Sequence, residues 1–184
     1  MTPFRRQLLL ITASAGLPLA LAACAAKAPP GAPPPAVPFA EAILYDTTGQ
    51  QVGKVTLIPQ GDMLAGTITV RRGLKPGAHG MHIHTIGKCT LPDFVSAGGH
   101  LNPEGKQHGL NNPMGSHQGD LPLLVADASG AASLSFTARS NLATIFDDDG
   151  AAFVVHADPD DMKTDPTGNS GGRVLCGVLY RKQS

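Results

Sequence analysis

Beyond residue 40 the chain is written in short alternations of apolar and polar positions. In Lys54-Val55-Thr56-Leu57-Ile58 and in Leu64-Ala65-Gly66-Thr67-Ile68-Thr69-Val70, apolar residues take turns with polar or small ones, as a strand with one buried face requires. Gly130 to Thr137 repeats the pattern, with Leu134 and Phe136 set against Ser133 and Ser135. Turn-forming residues separate the pieces: Thr48-Gly49, Gln60-Gly61-Asp62, Ser129-Gly130 and Asp149-Gly150. Eight strands are predicted, at about 41–46, 52–59, 63–71, 78–85, 121–127, 131–137, 152–157 and 174–180. The expected fold is all-β, an eight-stranded antiparallel barrel or sandwich.

Two stretches break the alternation. Residues 86–120 and 158–173 are rich in Gly, Pro, Asn and Asp, and loops of that length in a compact domain are commonly functional. The other break is at the N-terminus. Arg5 and Arg6 precede an apolar run from Leu8 to Ala23 that is short for a membrane span and contains Pro18, so residues 1–23 read as a secretory signal peptide. The run ends Leu21-Ala22-Ala23-Cys24, which resembles a bacterial lipobox with Cys24 as the lipidated residue; a plain signal peptide is the alternative. Arg5-Arg6 leaves twin-arginine export open beside the general route. Residues 24–39 are almost entirely Ala and Pro after the cysteine and read as an extended tether, leaving one domain over 40–184.

Composition adds three constraints. The 184-residue chain carries 14 basic and 14 acidic side chains, so it offers no basic field for nucleic acid. Its 22 glycines and 16 prolines suit turns rather than helices. With Cys24 assigned to lipid, Cys89 and Cys176 remain as a pair in an exported protein, where oxidising surroundings favour a bridge; two separate buried thiols are the alternative.

The candidate chemistry lies in the histidines. His82 and His84 stand two apart, so in a strand both leave from the same face and can converge on one ion. His79 has the opposite parity to His82 and is expected to bond to backbone instead. His100, His108, His117 and Asp120 lie together in the first long loop, and three imidazoles with a carboxylate make the closed shell of a structural zinc site. His156 ends a late strand; with His82, His84 and a shared His100 it makes four nitrogens, which suits copper.

The segments Gly80-Met81-His82-Ile83-His84, Gly99-His100-Leu101-Asn102-Pro103, His117-Gln118-Gly119-Asp120, Val155-His156 and Gly171-Gly172-Arg173-Val174-Leu175-Cys176-Gly177 resemble the signature segments of copper/zinc superoxide dismutases, closest to the exported bacterial branch. The resemblance runs from about residue 40 to the C-terminus. It implies a Greek-key barrel, copper on His82, His84, His100 and His156, and zinc on His100, His108, His117 and Asp120. It further implies a Cys89–Cys176 disulfide, Asp160 hydrogen-bonded between ligands of the two metals, and Arg173 beside copper as the group that attracts superoxide. His100 and Arg173 are then the residues of turnover, and Thr167 matches the threonine that narrows the channel.

Met81 and Leu101 replace aromatic residues common in the family, and the lysine and glutamate cluster that steers substrate elsewhere has no clear match; Lys163, Lys88 and Lys106 are candidates. The implied activity is dismutation of superoxide to oxygen and hydrogen peroxide, with antioxidant defence in the cell envelope. The expected place is the periplasm, on a membrane reached through the N-terminal lipid, with outer-membrane sorting compatible with Ala25. The alternative is a copper- and zinc-binding protein without turnover on the same fold. A homodimer is left open.

Overall fold

The alternation of the sequence becomes a curled antiparallel sheet in the computed structural model, which describes residues 36–183. The expected signal peptide, the Cys24 lipidation site and the tether as far as residue 35 lie outside the described residues. Ten strands form: β1 (Pro38–Asp46), β2 (Gln51–Gln60), β3 (Met63–Val70), β4 (Gly77–His79), β5 (Met81–His84), β6 (Leu124–Ala126), β7 (Ala132–Ala138), β8 (Ala152–His156), β9 (Arg173–Val178) and β10 (Tyr180–Gln183). Eight of them make one sheet, in the order β5-β8-β9-β1-β2-β3-β7 with β10 on β1, while β4 and β6 pair separately. β3 and β5, successive members of that sheet along the chain, stand at distant places in its order, and β7 returns beside β3; such long connections make the Greek-key barrel. One short helix, α1 (Leu142–Ile145), is capped by the Asn141 side chain, which accepts the Thr144 N–H.

The inward positions of the alternating strands fill one core: Ala42 and Leu44 from β1, Val55 and Leu57 from β2, Ile68 from β3, Phe153 and Val155 from β8, Leu175 from β9. Outward positions are polar on β3 and β7, where Thr67 pairs with Ser135 and Thr69 with Ser133. Gly66 interrupts the β3 pattern for a packing reason. It lies opposite Phe136, whose ring occupies the space a Cβ would need.

Three predicted strands change length. The expected strand 78–85 is split at Gly80, with β4 and β5 in different sheets. The cause is the second long loop: Gly80 N donates to Asp158 O and His156 N donates to Gly80 O, both at 2.8 Å, so this residue bonds to the loop and to the end of β8. The expected strand 121–127 contracts to β6; Asp120, just before it, bridges to His82 on β5, whereas β6 pairs with β4. The expected strand 174–180 ends at Val178, since Leu179 turns inward and donates to Ala151 O at 3.0 Å before β10 begins.

Cys89 and Cys176 form a disulfide that joins the first long loop to β9 across 87 residues of sequence. Closing a loop of that length contributes about 4 to 5 kcal/mol in the chain-entropy model. A second, small apolar cluster packs around it, made of Phe94, Ala97, Ala152, Val154 and Cys176.

The feature that positions the site is the free edge of β5, the last strand of the large sheet. Residues of the first long loop cover it as isolated bridges, His84 with His100 and His82 with Asp120. Ile83 donates to Gly119 O at 2.9 Å and accepts from Leu101 N at 2.8 Å, while Gly119 N donates to Leu101 O at 2.9 Å. The loop thus runs along the strand that carries two of the histidines.

Candidate metal centre

β5 is buried on both faces. Met81 and Ile83 enter the core, and His82 and His84 leave together on the other side, as their spacing predicts. A register shift in the β8–β9 pairing falls between Val155 and His156, re-aiming the last side chain of β8 toward them. His100 arrives from the bridged loop and its ring stacks on His82 with centroids 3.8 Å apart. Ligand atoms of His82, His84, His100 and His156 all lie within 4.8 Å of one another, and all four residues are buried.

Beyond His100 the cluster continues into a carboxylate. Asp120 Oδ1 lies 3.2 Å from His100 Nδ1, 2.9 Å from His108 Nδ1 and 3.3 Å from His117 Nδ1, so three ring nitrogens converge on one oxygen. The second oxygen, Oδ2, accepts the backbone N–H of Gly109 at 2.8 Å and of His117 at 2.9 Å, which locks the carboxylate plane. The tightest carboxylate-centred group, with atoms within 4.8 Å, comprises His82, His100, His108 and Asp120; His117 joins it through its approach to Oδ1.

Which nitrogen of each ring is free is settled by the bonds of the other. His82 Nε2 is 2.6 Å from Asp160 Oδ2, and His108 Nε2 is 3.0 Å from Asp160 Oδ1, so one carboxylate spans the two groups. His84 Nδ1 donates to Gly98 O at 2.9 Å, and His156 Nδ1 donates to Gly171 O at 3.2 Å. These bonds turn His84 Nε2 and His156 Nε2 to face each other at 3.4 Å. His82 Nδ1 and His100 Nε2 are buried with no hydrogen-bond partner, and His108 Nδ1 and His117 Nδ1 are buried with none but the ion-pair approach to Asp120 Oδ1. Buried polar atoms are rarely left so, and four in one cluster fit a pair of cations that would take their lone pairs.

Electrostatics divides the two halves. Burial holds His82 down to about 3 against the pull of Asp160, and holds His156 down to about 4 against the Gly171 carbonyl. Burial also puts His84 well below its ordinary value, with His100 and the Arg173 charge adding to the effect. His108 goes the other way: burial opposes its charge, but Asp120 and Asp160 outweigh burial and raise it to about 9. Both carboxyls sit well below their ordinary range, because the His100 and His108 bonds to Asp120, and the His108 and His82 bonds to Asp160, overcome the burial that would raise them.

Arg173 opens β9 in register with His156, and its guanidinium donates to Phe94 O and Gly98 O, each at 2.6 Å. Thr167 is exposed in the second long loop, where its carbonyl accepts the Ser170 hydroxyl. His79 stays outside the cluster: Nδ1 is 2.7 Å from His156 O and Nε2 is 2.8 Å from Lys75 O, the backbone bonding expected of it. Sequence reasoning missed Asp165, whose Oδ1 accepts His108 N–H at 2.6 Å and lies 3.6 Å from His117 Nε2. It also missed the carbonyls of Phe94, Gly98 and Gly171, since a main-chain acceptor leaves no mark in residue type.

The sequence profile of the family described as copper/zinc superoxide dismutase (SODC) matches residues 51–179. The superoxide dismutase-like protein YojM of Bacillus subtilis (strain 168) is 39% identical over 178 residues, which span 88% of this chain and 90% of that relative. Superoxide dismutase (Cu-Zn) 2 of Aquifex aeolicus (strain VF5) is 40% identical over 147 residues, 76% of this chain and 85% of the relative. Among solved structures, the Cu/Zn superoxide dismutase from Brucella abortus superposes with a TM-score of 0.63 at 31% identity, covering 76% of this chain and 98% of that one. A profile matched across most of the domain, relatives that share it at this identity, and two adjoining histidine clusters with free buried nitrogens lead to one conclusion: the chain belongs to the copper/zinc superoxide dismutase family, with copper and zinc as its cofactors.

Proposed function

We propose that this chain dismutes superoxide with copper held by His82 Nδ1, His84 Nε2, His100 Nε2 and His156 Nε2, and with zinc held by His100 Nδ1, His108 Nδ1, His117 Nδ1 and Asp120 Oδ1. The observation that carries this reading is the set of four buried ring nitrogens without hydrogen-bond partners, each on the side of its ring that faces a cluster. When bound, copper supplies the redox change, taking an electron from one superoxide to give oxygen and returning it to a second, which with two protons becomes hydrogen peroxide.

The chain's own residues supply the rest. Arg173 attracts the anion and orients it, because a guanidinium fixed by two carbonyls presents its charge in one place. His100 faces the histidines with Nε2 and the carboxylate with Nδ1, so this one imidazole would serve both ions, and Nε2 is the atom that would hold a proton for the nascent peroxide. Asp160 fixes the rings of His82 and His108 from behind and so keeps the two sites in mutual register.

The name of the B. subtilis relative, dismutase-like, keeps a second reading in play: a copper- and zinc-binding protein without turnover. Metal content and superoxide dismutation measured on the same oxidised protein separate the two. About one copper and one zinc per chain with no dismutation would favour the binding protein. Replacing His156 by Ala is expected to lower activity by about 100-fold or more and to deplete copper before zinc; full activity in that variant would sink the copper assignment.

The site of action that suits this protein is the periplasmic side of a bacterial envelope, where the Cys89–Cys176 bridge persists. Lipidation of Cys24 would hold it to a membrane, the outer one by our reading of Ala25. Labelled palmitate should enter the wild-type protein and not Cys24→Ser; equal labelling of both would remove the anchor.

A further inference from the structure

The Arg173 guanidinium is held by one short segment. Both acceptors, Phe94 O and Gly98 O, flank the 3₁₀ turn Val95–Ala97. Gly98 O is shared, because it also accepts from His84 Nδ1. The same five residues therefore aim the arginine and one histidine of the copper group. What fixes the segment itself is a different matter, since the disulfide grips the chain upstream, at Cys89.

Phe94 answers it. Its side chain is fully buried in the small cluster with Ala97, Ala152, Val154 and Cys176, and Cys89 packs against that cluster. Its backbone sits at φ 57°, ψ 18°, a left-handed conformation that an aromatic residue adopts only where its surroundings compensate. Two backbone bonds set the turn on either side of it: Phe94 N donates to Thr90 O at 3.0 Å, and Ala97 N donates to Phe94 O at 3.1 Å. The ring points into the protein while the carbonyl points at Arg173. Any shift of the ring is transmitted to the acceptor.

We propose that Phe94 is a positioning residue for the anion site: its ring, wedged beside the Cys89–Cys176 bridge, fixes the carbonyl that aims the Arg173 guanidinium. This rests on the reading of Arg173 as the group that attracts superoxide. Arginine has a long, many-rotamer side chain, and its charge guides a small anion only when the fork is held in place. Ser96 Oγ, which accepts Thr90 N–H and donates to Lys88 O, and the Ile86 N–H on Ala97 O tie the rest of the segment, and the buried ring anchors the residue whose own carbonyl meets the guanidinium.

The test uses the copper- and zinc-loaded protein and azide as the anion, with binding followed in the visible spectrum of copper. Phe94→Leu and Phe94→Met should bind azide about 3- to 10-fold more weakly at unchanged metal content, and neither should weaken it further in an Arg173→Ala background. Wild-type affinity in Phe94→Leu, or the same loss with and without Arg173, overturns the proposal. If Arg173→Ala itself binds azide normally, the anion-site reading fails and takes this one with it; a loss in Arg173→Ala alone sinks only the role of Phe94. A second measurement needs no variant. In the zinc-loaded, copper-free protein the Arg173 Nη–H resonances should be resolved and slow to exchange, and averaged signals would overturn the proposal even if the variants failed to fold.

Discussion

His108 and His82 share Asp160, yet their protons behave oppositely. His82 sits near 3 and His156 near 4, chiefly through burial, so at pH 7 both rings are already neutral and their lone pairs are available. His108, raised to about 9 because two carboxylates outweigh burial, is still protonated there. On the proposed assignment zinc would displace that proton, whereas copper would have none to displace from His82 or His156. Calorimetry in buffers of differing ionisation heat should therefore find about one proton released when zinc binds the metal-free protein at pH 7, and about one more, from His100, when copper joins zinc across that ring. The zinc release should vanish as pH rises through 9; no release on zinc binding at pH 7 would refute the assignment. The spacing of His82 and His84 announced their shared face, because a strand has period two. Nothing in the sequence announced that Asp165 would accept the His108 N–H, since that contact joins two loops with no periodicity to read.

At the scale of elements, the site depends on how the first long loop lies against β5. Gly119 is the contact point: a Cβ there would collide with the Ile83 carbonyl and with Leu101, both held in the loop's bridge to the strand. Gly119→Ala should destabilise the metal-free protein by about 2 to 4 kcal/mol, by forcing main chain apart where no flexible side chain can yield. The displaced Asp120, next in sequence, should lose zinc affinity by about 10-fold. Thermal unfolding and a zinc titration check both; a variant with wild-type values would mean the loop does not need this close approach. The alternation in β2, β3 and β7 was legible because one face of each is buried and the other wet. The split at Gly80 was not, because it is imposed by a carbonyl from Asp158, far along the chain.

At the scale of the whole molecule, the strands were readable as local pattern and the ligands as residue type, while their meeting was carried by the family resemblance. The order β5-β8-β9-β1-β2-β3-β7 cannot be read from alternation alone, since every strand in it has the same period. It matters because that order leaves β5 at an end of the sheet, where, among the described residues, the two stretches that bear His100 and Asp120 bridge to its outer edge. Those stretches are fastened to the strand by few backbone bonds and, on the proposed ligand assignment, would be fastened by metal as well. Metal would then be the clasp on an edge otherwise open to pairing with another chain. The stripped protein should associate on warming, visible as rising light scattering, at temperatures where the loaded protein stays dispersed; equal scattering would show that the loop holds unaided. By that prediction, zinc supply would govern this protein's solubility as well as its chemistry.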